Sequence, residues 1–265
     1  MRLSTLLVAS ALLPVMGTAA ERTFTYTHDS AVLAPGQHEL ELWTTWQGGR
    51  ADQEFRRLDS RLEIEIGVAP ETQVAVYLNH RRTSVDGVSE SEFEGVSLEL
   101  KRRLSDPTAD GLGSAIYVEG SANGAEVEVE LKAIADVRIG AWTAAFNLTG
   151  EVEAAEQEAD ADAGTGPGTT TEYEIKATVA CARQLSQAWS LGVEVESRNP
   201  ISENGDLESS TLWAGPAVHL SSPSLWSTLT IMPQLTNLGG EADSGTRELA
   251  DHSRLEVRLL LGTHF

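Results

Sequence analysis

From residue 38 to the C-terminus the chain alternates apolar and polar positions, segment after segment. A period of two is that of an extended strand, whose side chains point to opposite faces of a sheet. The alternation predicts twelve strands, at 38–47, 55–68, 72–83, 93–104, 112–121, 125–139, 142–152, 171–182, 188–198, 210–220, 225–235 and 252–265. The sixth is the cleanest. Val127, Val129, Leu131, Ala133, Ala135, Val137 and Ile139 oppose Glu126, Glu128, Glu130, Lys132, Asp136 and Arg138. The last sets Leu255, Val257, Leu259, Leu261, Thr263 and the terminal Phe265 against Arg254, Glu256, Arg258, Gly262 and His264. Alternation alone does not choose a solvent, because a soluble sheet also buries one face and wets the other.

The rest of the chain makes that choice. Residues 1–20 carry a positive start at Arg2, an apolar core from Leu6 to Val15 and the small residues Gly17, Thr18, Ala19 and Ala20. That is the form of an export signal cleaved after Ala20, and it is too short for a membrane helix. Later apolar runs are interrupted by Glu, Arg or Lys, so a membrane could be crossed only with strands. The apolar rows use many Val, Leu and Ala and few large aromatics, which suits lipid better than a packed core. The expected fold is all-β, a transmembrane antiparallel up-and-down β-barrel of twelve strands. A secreted β-sandwich or lipocalin-like barrel is the soluble rival.

The connections support the barrel. Those after strands one, three, seven, nine and eleven read as long and polar, and those after two, six, eight and ten as short. Bacterial barrels place long loops outside the cell and short turns in the periplasm. The stretch 105–111 is long for a turn and 122–124 short for a loop, a mild break in the rhythm. Trp142, Trp189 and Phe265 would mark the periplasmic interface, and Trp46 and Tyr173 the outer one. Residues 21–37 have no clean period and are expected as a periplasmic lead-in ahead of a barrel at 38–265. No linker splits the chain.

Composition narrows the function. With 40 acidic residues against 19 Lys and Arg, the formal net charge is −21, which excludes nucleic acid as a partner. The single cysteine, Cys181, allows no internal disulfide and lies in an apolar row. If the apolar rows face lipid, the charged rows line the lumen. The expected lining is Arg57, Arg61, Glu63, Glu65, Glu99, Lys101, Arg103, Glu128, Glu130, Lys132, Arg138, Glu174, Lys176, Glu194, Arg254, Glu256 and Arg258. Such mixed charges pair across strands. They either brace a closed interior or line a narrow pore whose acidic excess favours cations.

Enzymatic and metal readings find less support. His219-Leu220-Ser221 has the form of a His-x-Ser pair in which an imidazole could activate a hydroxyl. The topology puts it at the periplasmic end with His219 toward the lumen, away from the outer leaflet where barrel lipases act. His28-Asp29-Ser30 are adjacent in sequence, whereas triad members converge from separate places. Asp160-Ala161-Asp162-Ala163-Gly164 lacks the terminal bidentate acid of a calcium loop, so the acidic stretch 153–168 reads as a solvated loop. The histidines show no metal spacing, and no phosphate-binding glycine motif occurs. No cofactor, resident metal or catalytic residue is expected.

The chain also resembles an uncharacterised family of proteobacterial outer-membrane β-barrel proteins. The resemblance sits in Tyr26-Thr27-His28-Asp29 before Pro35-Gly36, in His38-Glu39-Leu40-Glu41-Leu42-Trp43 and in the stretches 58–68 and 76–79. It continues through 93–101, 189–194 and 254–258. It spans most of the mature chain and implies a fold and a location, but no substrate or catalytic residue. The expected partners are outer-membrane lipid and lipopolysaccharide, with small solutes or cations as cargo. The function expected first is therefore a narrow outer-membrane channel. A closed barrel with a structural or surface role is second, and a lipid hydrolase is remote.

Overall fold

The computed structural model describes residues 21–157, 168–240 and 246–265. The expected export signal falls outside them. Twelve strands form one closed barrel: β1 His38–Gly48, β2 Phe55–Ala69, β3 Thr72–Val85, β4 Val88–Ser105, β5 Gly113–Ala122, β6 Glu126–Ile139, β7 Trp142–Gln157, β8 Gly168–Gln184, β9 Trp189–Ile201, β10 Thr211–Ser221, β11 Trp226–Asn237 and β12 Leu255–His264. Each strand pairs antiparallel with its neighbours in sequence. The first and last close the ring in a register that runs from Glu39 opposite His264 to Gly48 opposite Leu255.

Closure sorts the two faces. Leu98, Leu131 and Val193 point outward and are 62%, 56% and 54% exposed, whereas Glu39, Glu41, Glu63 and Glu194 point inward and are fully buried. A fold that hides carboxylates and shows leucines matches a hydrocarbon solvent, in which closure also leaves no unpaired strand edge. The soluble rival needs the opposite arrangement. Trp142, Trp189 and Phe265 lie exposed at the end of the barrel that carries the short turns. Trp46 and Tyr173 lie toward the other end, exposed on the outer face.

Several strands outrun their apolar rows. The expected loop at 84–92 is instead a two-residue turn, with Val85 paired to Val88 across Asp86 and Gly87. Both turn residues have positive φ, 49° and 85°, the geometry that matches the twist of a hairpin and that Asp-Gly adopts readily. The polar residues around it misled the pattern because this part of the hairpin stands beyond the apolar band. β7 and β8 likewise continue until Gln157 faces Gly168. The calcium-like stretch 160–164 lies outside the described residues.

The main departure concerns residues 21–37. Expected as a lead-in ahead of the barrel, they run inside it as an irregular strap. Phe24, Thr25, Thr27, Ser30 and Leu33 are almost wholly buried. Phe24 packs on the small inward residues Ala145, Ala180 and Ala182, and Tyr26 on Trp213 and Met232. The strap then passes so close to β2 that a Cβ at Gly67 would overlap the Ala34 carbonyl. Gly67 N donates to Gln37 O at 3.0 Å, and Gly36 N to Gly67 O at 2.8 Å. A segment fitted to the wall one residue at a time has no period to detect.

The inside-out sheet makes a graded prediction. Leu131→Arg, midway along β6, should lower folding stability in phospholipid vesicles by about 2–4 kcal/mol, whereas Val88→Arg at the hairpin tip should cost about 0–1 kcal/mol. Urea titrations of the two variants check this, and equal small losses would mean that the outer rows do not meet acyl chains.

Candidate functional site

Ahead of its pairing with Gly67 the strap runs beside no strand, so its backbone N–H groups need other acceptors. Inward side chains supply them. Glu194, on β9, accepts from Thr25 N at 2.8 Å, Thr25 Oγ1 at 3.1 Å, Tyr26 N at 2.8 Å and Thr27 N at 2.9 Å. Thr230 of β11 adds a bond to the same carboxylate at 2.6 Å. Asn147 of β7 brackets His28, accepting from its N–H at 2.7 Å and donating to its carbonyl at 2.8 Å. Ser30 N donates to Asp136, and Leu33 N to Gln73, each at 3.0 Å. Four different strands therefore hold one irregular segment across the lumen.

The strap divides the interior. Toward the loop end lies a chamber of about 400 Å³ whose floor is Thr25, Tyr26 and His28. Its wall carries eight carboxylates (Asp59, Glu119, Glu128, Glu130, Glu151, Glu174, Glu196 and Glu256) and six Lys or Arg side chains (Arg57, Arg61, Lys132, Lys176, Arg198 and Arg258). Most are paired. Arg198 bridges Glu196 and Glu256, both at 2.7 Å. Lys132 meets Glu130 at 2.9 Å and Arg57 meets Asp59 at 2.9 Å. Lys176 sits among Glu130, Glu151 and Glu174, and Arg61 pairs with Glu119. Arg258 instead reaches Thr45 Oγ1 at 2.9 Å and Thr25 O at 3.3 Å, with its guanidinium over the Tyr26 ring. His252, from the last loop, joins the lining. Burial, and then the nearby Arg198 charge, hold its imidazole below the usual range.

A second cavity, of about 370 Å³, opens at the short-turn end and is lined by Glu21, Arg103, Asp106, Arg138, His219 and Ser221 among others. Arg103 pairs there with Glu71 and Asp106, and Arg138 with Asp29 at 3.3 Å. Of the expected lining residues, Arg57, Arg61, Glu128, Glu130, Lys132, Glu174, Lys176, Glu256 and Arg258 meet in the first chamber. Arg103 and Arg138 belong to the second. Glu194 is consumed by the strap. Glu63, Glu65, Glu99 and Lys101 are buried low in the wall, beside Glu39 and Glu41. Arg254 lies elsewhere: it is exposed at the rim ahead of β12, its N–H bonded to Gly48 O at 3.0 Å. The alternation places it correctly in phase, but the strand begins only at Leu255.

Sequence reasoning missed Glu119, Glu151, Glu196 and Arg198, although each shares the phase of an inward neighbour and could have been found by extending the rows. It also missed Glu21. That carboxylate lies 3.3 Å from His219 Nε2, while His219 Nδ1 meets Thr228 Oγ1 at 2.8 Å. Both ring nitrogens are engaged, so neither is free in this arrangement to take a proton from Ser221. Burial disfavours the Glu21 charge, but hydrogen bonds from His219 and Ser221 outweigh it and hold the carboxyl below its usual range. His28, Asp29 and Ser30 diverge to separate partners, Asn147, Arg138 and Asp136. Cys181 is free and half-buried.

Comparison with known proteins extends these findings. A family model described as "Family of unknown function (DUF6662)" matches residues 16–265. No curated protein matches the chain. Among solved structures, the β-domain of the Bordetella autotransporter BrkA is similar at 10% identity with a TM-score of 0.54, over 88% of this chain and 100% of that one. The translocator domain of the autotransporter NalP from Neisseria meningitidis is similar at 13% identity and 0.51, over 86% and 88%. Likeness at this identity is likeness of fold: a closed outer-membrane-type barrel.

The Glu194 contacts generate a prediction. Each hydrogen bond to a charged group contributes about 1.5–3 kcal/mol, so Glu194→Ala should accelerate exchange of the Thr25, Tyr26 and Thr27 amides by roughly tenfold or more. Hydrogen-exchange mass spectrometry on the detergent-solubilised protein reads this. Unchanged protection would show that the strap is held by something other than this carboxylate.

Proposed function

Because the chain belongs to a family of unknown function (DUF6662), its activity has to be argued from geometry, and we propose that it is an outer-membrane channel for small polar solutes that its own strap closes at rest. The observation that carries this reading is the charge-lined chamber of about 400 Å³ whose floor is the strap and not the barrel wall. A barrel that only needed filling could do so with apolar side chains. Here the partition is a separate segment held by side-chain-to-backbone hydrogen bonds, which can break and reform without disturbing the sheet.

The membrane is the bacterial outer membrane, with its lipid and lipopolysaccharide around the apolar rows, both chain ends at the periplasmic face and the longer loops outside. Eight carboxylates against six bases leave the chamber acidic, which supports passage of cationic or zwitterionic solutes over anions. The dense ion pairs, Arg198 between Glu196 and Glu256 above all, favour a second reading, a permanently closed barrel braced from within.

Planar-bilayer recordings separate the two. The native protein should show rare, small conductance steps, and deletion of residues 22–33 behind an intact export signal should give frequent larger ones. In the open form Lys132→Glu should shift the reversal potential toward stronger cation preference. A strap-deleted protein that inserts but never conducts would establish the braced, closed barrel instead.

A further inference from the structure

Five glutamates converge where β1, β2 and β4 face the lumen. Glu39 stands directly opposite Glu65, and Glu41 opposite Glu63. Ala75 of β3 lies between Glu65 and Glu99 in the ladder, and its small side chain leaves the two carboxylates free to approach over it. Glu39, Glu41 and Glu63 are fully buried, Glu65 and Glu99 nearly so. Oxygens of Glu63, Glu65 and Glu99 come within 4.8 Å of one another, as do those of Glu39, Glu41 and Glu65. Like charges placed directly across a strand pair are destabilising, and burying them unpaired is costly.

The charges of Arg22 and Lys101 lie near these acids without pairing directly with them. Among the described residues no Lys or Arg forms an ion pair with any of the five. His264 approaches Glu39 at 3.5 Å. Trp43 Nε1 donates to Glu41 at 2.7 Å, Trp226 Nε1 to Glu39, Tyr77 to Glu99, and Gln73 to Glu99 at 3.3 Å. These leave both oxygens of Glu63 buried and aimed into the cluster without a hydrogen bond of good geometry, the neighbouring Tyr77 hydroxyl being directed to Glu99. One oxygen of Glu39 and one of Glu41 also accept none. Beside Glu65 a void of about 10 Å³, also lined by Arg22, Gln73 and Lys101, has room for a single water.

We propose that Glu63, Glu65 and Glu99, with Glu39 and Glu41 behind them, bind a divalent cation of the calcium class. Orphaned carboxylate oxygens with no nitrogen or sulfur donor among them suit a hard cation. Ca²⁺ accepts six to eight oxygens at about 2.3–2.6 Å, so ligands of one ion stand up to about 5 Å apart, and the oxygens of each cluster lie within that reach. Mg²⁺, which keeps several waters, fits the single-water void poorly. The ion would tie β1, β2 and β4 together next to the strap. It is independent of whether the barrel conducts.

The two indoles bonded to Glu39 and Glu41 provide the readout, because a terbium ion in the site would be sensitised by them. In refolded, EDTA-stripped protein, Tb³⁺ emission under indole excitation should saturate at one ion per chain and be displaced by Ca²⁺. Glu63→Gln with Glu65→Gln should abolish it, whereas Glu126→Gln with Glu128→Gln, on a more open acidic group, should not. Ca²⁺ should raise the Tm of the native protein and leave that of the first double variant unchanged. If the first variant does not fold, Trp43→Phe with Trp226→Phe should lose the emission and keep the Ca²⁺ shift in Tm. Emission that survives the Glu63/Glu65 change, or a native Tm indifferent to Ca²⁺ and EDTA, overturns the proposal and leaves carboxyls that shed their repulsion by holding protons.

Discussion

A chain that crosses hydrocarbon must find a partner for every backbone N–H and C=O within itself. For strands, that condition is met only when the first and last join. The pairing of β1 with β12 from Glu39–His264 to Gly48–Leu255 meets it, and most other features follow. Once the ring is closed, alternate side chains must enter a space too narrow to hydrate them freely. Twelve strands lie between small barrels packed solid with side chains and large ones with open water channels. The interior is therefore neither a core nor a bore: it is a set of partly buried charges that have to find one another.

Pairing solves most of that problem in the loop-side half, where Arg61, Lys132, Lys176 and Arg198 each sit against one or more carboxylates. Lower in the barrel, the strap does part of the work. Its N–H groups donate to Glu194, Asn147, Asp136 and Gln73, inward polar side chains whose acceptor oxygens need such donors. The relation is reciprocal, since the same side chains take most of the hydrogen bonds that the strap N–H groups give between Thr25 and Leu33. The five glutamates of β1, β2 and β4 are the place where neither solution reaches, and that is why they point to an ion.

The strand count, the inward phase and most of the turns were legible because period two is local: Leu131 and Lys132 declare their faces from their immediate neighbours. What depends on register was not. Glu39 and Glu41 read as inward residues of one strand, and Glu63 and Glu65 of the next, but their confrontation follows from a pairing that the connecting loop sets. The hairpin at Asp86-Gly87 was hidden because strands standing clear of lipid lose their apolar row. The strap was hidden for a deeper reason. Phe24 fits a gap made by Ala145, Ala180 and Ala182 on two distant strands, and no periodicity records a fit of that kind.

The central claim is that residues 21–37 lie folded within the closed barrel and partition it. Solution NMR of the detergent-solubilised protein tests this directly, through contacts between the Thr25–Thr27 amide protons and the side-chain methylenes of Glu194. The account predicts dispersed amide shifts along the strap and clear cross-peaks to Glu194. Random-coil shifts for these residues, with no cross-peaks to the wall, would contradict it.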